Sequence, residues 1–294
     1  MANVVDLHTH STASDGIYSP TELLRLAAEA GLKVQALTDH DSTNGLDEAF
    51  QAARPHSIEL IPGIELNTDV KGGEVHVLGY FIEYQDPEFQ SVLSTLRDAR
   101  VLRGQRMVEK LNEQGLQITW ERVREIAQGS VGRPHVAEAL LEKGYVKSIA
   151  EAFDKYIGAG RPGYVPRYKL TPQDAIRLII SANGLPVMAH PITFPGLDGL
   201  RQWLPDLIAA GLVGLEVYYG PYTPEQVQDL LTLANEHHLI PTGGTDYHGP
   251  DIHPTPLGGR YVPYESVERL KAAAAQRRGK TPPTFELPRP VLEK

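Results

Sequence analysis

Seven short runs rich in apolar and β-branched residues alternate along the chain with amphipathic stretches, and this alternation restricts the fold more than any other feature. The runs are NVVDLH, VQALTD, IELIPGIEL, EVHVLGYF, LPVMAH, GLEVYY and LIPTGGTD. Such alternation is typical of α/β proteins with a parallel sheet. We therefore predict a parallel, barrel-like sheet of seven strands. An open, doubly wound sheet is the alternative, although no glycine-rich dinucleotide fingerprint follows any of the runs.

Three of the amphipathic stretches begin with a hydroxyl residue followed by proline: Ser19-Pro20, Thr171-Pro172 and Thr223-Pro224. Serine and threonine side chains accept hydrogen bonds from the free N–H groups of a helix start, and proline is favoured at the first helical position. Gly31 closes the first of these stretches, as glycine often does after a helix. We expect a helix after each of the three starts.

Between residues 87 and 160 the alternation is interrupted by a helical pattern without a strong strand. Residues 87–170 hold 14 Lys and Arg against 10 Asp and Glu, whereas the whole chain has a net charge of −9. A basic segment in an acidic chain favours a role in holding an anion. We predict a barrel formed by residues 1–86 and 161–280, a helical insertion or cap at 87–160, and a proline-rich C-terminal extension at 281–294.

Composition restricts the chemistry and the location. The 294 residues are 41% hydrophobic and include no cysteine, so a bound metal would need His, Asp and Glu as ligands. The sequence has neither a long apolar run nor a basic leader with an apolar core, and we therefore expect no membrane segment and a cytoplasmic location. No feature indicates an obligate protein partner, and the oligomeric state stays open.

Polar side chains cluster at the ends of the predicted strands, where barrels and open α/β sheets assemble their functional sites. They are His8, His10, Asp39, His40, Glu65, His76, His190, Asp246 and His248, with Asp15 in the loop after the first strand. These candidate ligands exceed the needs of one ion. We therefore expect two or three divalent ions, with manganese favoured and zinc or iron as alternatives, because imidazoles mixed with carboxylates suit all three.

Such a cluster favours the hydrolysis of phosphate esters. Two ions about 3.5–4 Å apart can clamp a phosphate and stabilise both the attacking and the leaving oxygen. We expect a hydroxide that bridges two ions to be the nucleophile, and no side chain is assigned as the general acid.

Six motifs, in the order DLHTHSTASDG, LTDHD, GIE, EVHVLGY, AHP and GTDYHG, resemble the PHP (polymerase and histidinol phosphatase) superfamily and extend from Asp6 to His248. The resemblance implies a distorted (β/α)7 barrel with three metal ions. It assigns the first ion to His8, His10, Glu65 and Asp246. It assigns the second ion to Glu65, His76 and His190, and the third to Asp15, His40 and His248. Asp6 and Asp39 are then expected to orient the imidazoles from behind.

The helical insertion is similar to that of PHP phosphoesterases that remove the 3′-phosphate from nucleoside 3′,5′-bisphosphates, including the RNase AM type that degrades short RNA in the 5′–3′ direction. This resemblance implies a small phosphorylated nucleotide or a short RNA as substrate. The motifs that carry it, RxxRxxR and GRPHVA, supply five predicted substrate contacts: Arg100, Arg103, Arg106, Arg133 and His135. Arginine forks and helix starts both attract phosphate.

Two alternative functions remain. One is a phosphomonoesterase of the histidinol-phosphatase kind, which uses the same metals. The other is a PHP module that binds metal and acts as a scaffold without catalysis. Glu216 and Tyr218, at the end of the sixth predicted strand, are further candidates for orienting the metal ligands or contacting the substrate.

Overall fold

The structure is a computed structural model that describes residues 4–70, 73–127, 131–158, 160–165, 170–194, 196–250 and 255–287. These residues form two compact units. The larger comprises 4–90 and 170–287 and the smaller comprises 91–165. The division of roles into barrel, cap and C-terminal extension stays a prediction, and residues 288–294 lie outside the described part.

The larger unit is built on one seven-stranded sheet whose strands follow each other in sequence order. The strands are β1 (Val5–Asp6), β2 (Val34–Leu37), β3 (Glu59–Val70), β4 (Gly73–Tyr80), β5 (Leu185–Met188), β6 (Gly214–Tyr219) and β7 (Ile240–Gly244). The Leu7 amide donates to the Gly243 carbonyl at 3.2 Å, and Thr9 forms a parallel bridge with Tyr247. The first and last strands therefore meet, and the predicted α/β barrel of seven strands is confirmed as a nearly closed barrel.

The prediction of an all-parallel sheet is wrong at one strand. β1, β2 and β3 run parallel, as do β5, β6 and β7, but β4 is antiparallel to both β3 and β5. Only two residues separate the end of β3 from the start of β4. Two residues are enough for a hairpin but far too few for the crossover that parallel neighbours require.

The described residues form ten α-helices: α1 (Pro20–Glu29), α2 (Leu46–His56), α3 (Pro87–Glu113), α4 (Trp120–Ala127), α5 (Arg133–Glu142), α6 (Ile149–Ala152), α7 (Pro172–Ser181), α8 (Gly196–Ala210), α9 (Pro224–Glu236) and α10 (Tyr264–Arg278). The predicted starts of α1, α7 and α9 are confirmed. Ser19, Thr171 and Thr223 each accept a hydrogen bond from the backbone N–H three residues later. No helix among the described residues is long and apolar enough to cross a membrane.

An apolar core fills the barrel below its polar end, with Val5, Leu7, Ile61, Leu78 and Val187 fully buried. Gly244 lets the last strand approach the first, because a Cβ at this position would lie 2.5 Å from both Cβ and the backbone nitrogen of His8. Barrel closure therefore depends on a glycine beside a candidate metal ligand.

The smaller unit consists of helices joined by turns and loops, with no strand among its described residues. It contains most of α3, together with α4, α5 and α6, and α6 continues as a π-helical turn at Phe153–Ile157. Its own apolar core includes Met107, Leu111, Val123, Leu140 and Ile157.

Candidate metal centre

Glu65 occupies the middle of a group of imidazoles. Its side chain lies on β3 and is completely buried. Oxygen Oε2 lies 3.1 Å from Nε2 of His8, 3.2 Å from Nε2 of His10 and 3.2 Å from Nδ1 of His40. Residues from the ends of β1 and β2 thus converge on one carboxylate oxygen.

The second oxygen of Glu65 contacts a different pair of imidazoles. Oε1 lies 2.9 Å from Nδ1 of His76 and 3.0 Å from Nε2 of His190. His76 does not follow the predicted rule that ligands lie at the carboxyl end of a strand. It lies within the antiparallel β4 and pairs with Asn67, which is two residues beyond Glu65 on β3. The antiparallel pairing of β3 with β4 therefore brings His76 close to Glu65.

Two acidic side chains complete the centre. Asp246 Oδ1 lies 3.2 Å from Nε2 of His8 and 3.1 Å from Nε2 of His10. Asp15 Oδ1 lies 3.2 Å from Nε2 of His248, and Asp15 Oδ2 lies 3.8 Å from Nε2 of His40. All nine side chains predicted as ligands therefore belong to one cluster at one end of the barrel.

The donor atoms fall into three groups, and the atoms of each group lie within 4.8 Å of one another. One group comprises His8, His10, Glu65 and Asp246, the set predicted for the first ion. A second comprises Asp15, His40 and His248, as predicted for the third ion, together with His10. The last comprises Glu65 and His76 with His40 in the place expected for His190.

The residues fit divalent ions. His10 is buried, and neither of its ring nitrogens has a hydrogen-bond partner among the described residues, although carboxylate oxygens lie 3.1 and 3.2 Å from Nε2. Buried polar atoms are rarely left without partners. With metal–ligand bonds of 2.0–2.2 Å, two ligands of one ion lie about 3.0–3.5 Å apart. The spacing of these atoms therefore matches donors that share an ion.

Burial and neighbouring charges shift the pKa values of the cluster in both directions. Burial alone raises the pKa of Glu65, but His40, His8 and His76 outweigh it and hold that pKa well below its ordinary value. Burial lowers the pKa of His40 to about 4, although Glu65 and Asp15 oppose the shift. Ligands must be deprotonated to bind a metal, so Glu65 and His40 are already in the required form at neutral pH. Burial lowers the pKa of His8 and of His10, but nearby carboxylates outweigh it and raise both, that of His10 to about 10. A metal ion would have to displace these protons.

Two of the candidate ligands have left-handed backbone conformations. The φ angles are +25° at His190 and +55° at Asp246. Such angles are uncommon for residues other than glycine and cost free energy, and they persist where the surroundings enforce them, often at functional sites. The backbone is therefore strained where it presents these two side chains.

The hydrogen bonds of Asp6 and Asp39 go to loop residues, and the role of these two carboxylates in orienting the imidazoles stays a prediction. Asp39 accepts from the backbone and hydroxyl of Ser11 and from the hydroxyl of Ser14, each at 2.7 Å. Asp6 accepts from the backbone and hydroxyl of Thr245 at 3.0 and 2.7 Å. Both carboxylates thus anchor loops that carry a ligand, Asp15 in one case and Asp246 in the other.

Side chains of β6 contact candidate metal ligands, and the sequence had indicated Glu216 and Tyr218 for such contacts. Glu216 Oε1 lies 2.9 Å from Nδ1 of His8, and Tyr219 rather than Tyr218 reaches the cluster, with its hydroxyl 3.0 Å from Asp246 Oδ2. A bulge shifts the register of β6 between Glu216 and Tyr218. It places the side chains at 216 and 219 on the same side, whereas Tyr218 packs against the apolar core. Strand alternation alone could not reveal this.

The predicted substrate contacts of the smaller unit differ in their surroundings. Arg103 is buried and donates from Nε to the Val165 carbonyl at 2.8 Å, whereas Arg106 is exposed. Arg133 opens α5 with its guanidinium 5.4 Å from the Phe153 ring centre, and Nδ1 of His135 accepts from the Gly132 N–H at 2.9 Å. The side chain of Arg100 lies outside the described part. The assignment of these five residues as substrate contacts stays a prediction.

A cluster of candidate metal ligands at one end of a seven-stranded barrel fits the resemblance of the motifs to the PHP superfamily, and the family comparison agrees. The chain belongs to the PHP domain family, whose model matches residues 6–179.

Individual relatives cover most of the chain. A 5′-3′ exoribonuclease of Haemophilus influenzae is 35% identical over 85% of this chain and 92% of its own length. A 3′,5′-nucleoside bisphosphate phosphatase of Chromobacterium violaceum is 33% identical over 85% of this chain and 88% of its own. The crystal structure of a candidate metal-dependent phosphoesterase of Bifidobacterium adolescentis has a TM-score of 0.78 and 32% identity, and covers 93% of this chain and 97% of that one.

Proposed function

We propose that this chain hydrolyses the 3′-phosphate ester of nucleoside 3′,5′-bisphosphates and also degrades short RNA from its 5′ end. The observation that carries the proposal is the position of Glu65. Its two oxygens face separate imidazole sets, with His8, His10 and His40 around Oε2 and His76 and His190 around Oε1. A carboxylate placed in this way is suited to hold two ions at once, the arrangement that phosphate ester hydrolysis uses.

The nine clustered side chains would hold two to three divalent ions, with manganese favoured. They are His8, His10, Asp15, His40, Glu65, His76, His190, Asp246 and His248. When bound, the ions supply positive charge to the phosphoryl oxygens and lower the pKa of water. Six imidazoles and three carboxylates are a donor set that manganese, zinc and iron all accept.

The nine side chains differ in burial, and this difference supports a direction of approach for the phosphate. His8, His10 and Glu65 are completely buried, whereas the Asp15 side chain is 39% exposed. His76 and His190 are 18% and 15% exposed. We infer that the substrate phosphate approaches past these three partly exposed side chains, while the buried residues keep the inner donors in position and away from water.

The two relatives named above support the choice of substrate, because one acts on nucleoside bisphosphates and the other on RNA. Both kinds of substrate carry a phosphate beside the one that is cleaved. Cationic side chains are needed to hold it, and Arg100, Arg103, Arg106, Arg133 and His135 stay the predicted donors. The cytoplasm stays the predicted location, which fits a chain without cysteine.

The test is phosphate release by protein stripped of metal and reloaded with manganese, zinc or iron. Adenosine 3′,5′-bisphosphate should lose its 3′-phosphate and leave the 5′-monophosphate, and a 5′-phosphorylated RNA of a few nucleotides should be shortened from that end. Histidinol phosphate and p-nitrophenyl phosphate should be poorer substrates. Faster turnover of histidinol phosphate would favour the phosphomonoesterase alternative. No turnover of any substrate with any of the metals would favour the scaffold alternative.

A further inference from the structure

One buried carboxylate outside the nine candidate ligands contacts two of them. Glu216 on β6 is completely buried. Its Oε1 lies 2.9 Å from Nδ1 of His8, and its Oε2 accepts from the backbone N–H of His190 at 2.7 Å. We propose that Glu216 is a positioning residue that decides which nitrogen of His8 faces the metal and holds His190 in its strained conformation. The proposal rests on the metal centre of the proposed function.

The contact with His8 assigns the roles of the two ring nitrogens. A carboxylate only accepts hydrogen bonds, so Nδ1 of His8 must donate to Glu216. When His8 gives up its second proton to bind a metal ion, the lone pair of the other nitrogen, Nε2, is available to that ion. This nitrogen points at the centre, 3.1 Å from Glu65 Oε2 and 3.2 Å from Asp246 Oδ1. Glu216 thereby orients the ring of His8 so that Nε2 is the nitrogen available to a metal ion.

The contact with His190 acts on the backbone instead of the ring. The φ angle of His190 is +25°, which few residues other than glycine adopt. The hydrogen bond from its N–H to Glu216 helps to maintain this conformation, and the ring then reaches Glu65 Oε1 with Nε2 at 3.0 Å. His8 and His190 contact different oxygens of Glu65. One side chain on β6 therefore supports both sides of the centre.

The bulge in β6 extends this support to a third ligand. Glu216 pairs with Thr242 and Tyr218 with Gly243, so Val217 is the extra residue. The bulge turns Tyr219 toward Asp246 and leaves Glu216 beneath His8 and His190. β6 supplies none of the nine candidate ligands, yet its side chains hydrogen-bond three of them. Such outer contacts fix the orientation of metal ligands and commonly control affinity.

Replacement of Glu216 by glutamine gives a sharp test because the side chains have nearly the same shape. The backbone N–H of His190 can only donate, so the glutamine oxygen must face it. The glutamine NH2 group then faces Nδ1 of His8 and requires that nitrogen to accept. The proton of His8 moves to Nε2, the nitrogen that should bind metal. The opposite orientation would place two donors against each other.

The experiment is a calorimetric titration of the metal-stripped full chain with Mn²⁺ and with Zn²⁺, together with the metal content at saturation. For Glu216→Gln we expect at least one ion to bind about 10- to 100-fold more weakly than in the wild type. The melting temperature of the metal-free variant should stay close to that of the metal-free wild type. Thr242→Val serves as the control, because Thr242 is buried and pairs with Glu216 across the sheet. It should change stability but leave metal affinity unchanged.

A second measurement does not depend on a variant. In the zinc-loaded wild type with ¹⁵N-labelled histidine, the NMR spectrum should show His8 protonated at Nδ1 and bound through Nε2. Metal bound through Nδ1, or equal affinities for wild type and Glu216→Gln, would overturn this inference while the proposed function stands. Failure of the wild type to bind any metal would overturn both.

Discussion

The hydroxyl of Tyr219 donates a hydrogen bond to Oδ2 of Asp246 at 3.0 Å. The two oxygens of this carboxylate therefore have different surroundings. Oδ1 is left facing Nε2 of both His8 and His10. The hydrogen bond from Tyr219 thus determines that Oδ1 is the oxygen of Asp246 that faces the candidate metal centre. Because Tyr219 lies behind the ligand, its effect on metal binding can be separated from ligation itself.

We expect Tyr219→Phe to weaken metal binding by about 10-fold, the lower end of the range for outer contacts of metal ligands. The loss of one hydrogen bond should also reduce the free energy of unfolding by about 1 kcal/mol. Calorimetry and urea denaturation measure the two effects. Tyr218→Phe is the matched control, since Tyr218 packs against the core on the other side of the bulge. Equal metal affinities for the two variants would contradict a role for Tyr219 in orienting Asp246.

Glu65→Ala should abolish phosphate release and reduce the number of ions bound per chain. The variant removes the carboxylate whose two oxygens face the two imidazole sets. Glu59→Ala is the control on the same strand. Glu59 is 41% exposed and pairs with Lys271 at the surface, and such pairs contribute at most about 1 kcal/mol. Normal turnover by Glu65→Ala would contradict the proposed metal centre.

Removal of metal by dialysis against a chelator should stop turnover reversibly and lower the melting temperature. Ions that bind the folded chain alone stabilise it by about 2.7 kcal/mol when their free concentration is 100 times the dissociation constant. Readdition of manganese should restore both activity and melting temperature. Activity that persists in protein shown by elemental analysis to be metal-free would refute the proposed chemistry.

Arg133→Ala should impair substrates that carry a second phosphate and spare p-nitrophenyl phosphate. Loss of one charge-assisted hydrogen bond costs about 1.5–3 kcal/mol, which corresponds to an increase in KM for adenosine 3′,5′-bisphosphate of about 10- to 100-fold. Arg122→Ala is the control in the same unit, because Arg122 is exposed and already pairs with Glu142 and Glu125. The same loss on both substrates would argue against phosphate recognition by Arg133.

Gly244→Ala should destabilise the barrel by about 1–3 kcal/mol, the usual cost of an extra carbon in a packed region. The new Cβ would lie 2.5 Å from Cβ of His8. Gly279→Ala is the control, since a Cβ there has nothing within 4 Å. The free energy of unfolding in urea separates the two variants, and equal stability would mean that β7 shifts away from His8 at little cost.

The sequence supported the prediction of elements and candidate ligands because both depend on local signals. Strands were visible as short apolar runs, and the hydroxyl-proline pairs at Ser19, Thr171 and Thr223 marked helices that begin there. Histidines and acids at strand ends predicted a metal site. These signals depend on residue type and spacing, which the sequence contains in full.

The errors arose where the outcome depends on distant parts of the chain. β4 was expected to run parallel to its neighbours but is antiparallel to both. Tyr218 was proposed where Tyr219 makes the contact. Strand direction depends on the length of a hairpin connection, and a bulge changes which side chain faces the site.

The sequence by itself determined that the chain forms an α/β barrel and that side chains suited to metals follow its strands. Only the tertiary structure decided that Glu65 faces five imidazoles and that Glu216 stands behind His8 and His190. The reason is physical. A ligand's identity is a property of one residue, but its orientation depends on a hydrogen bond that can join positions 208 residues apart.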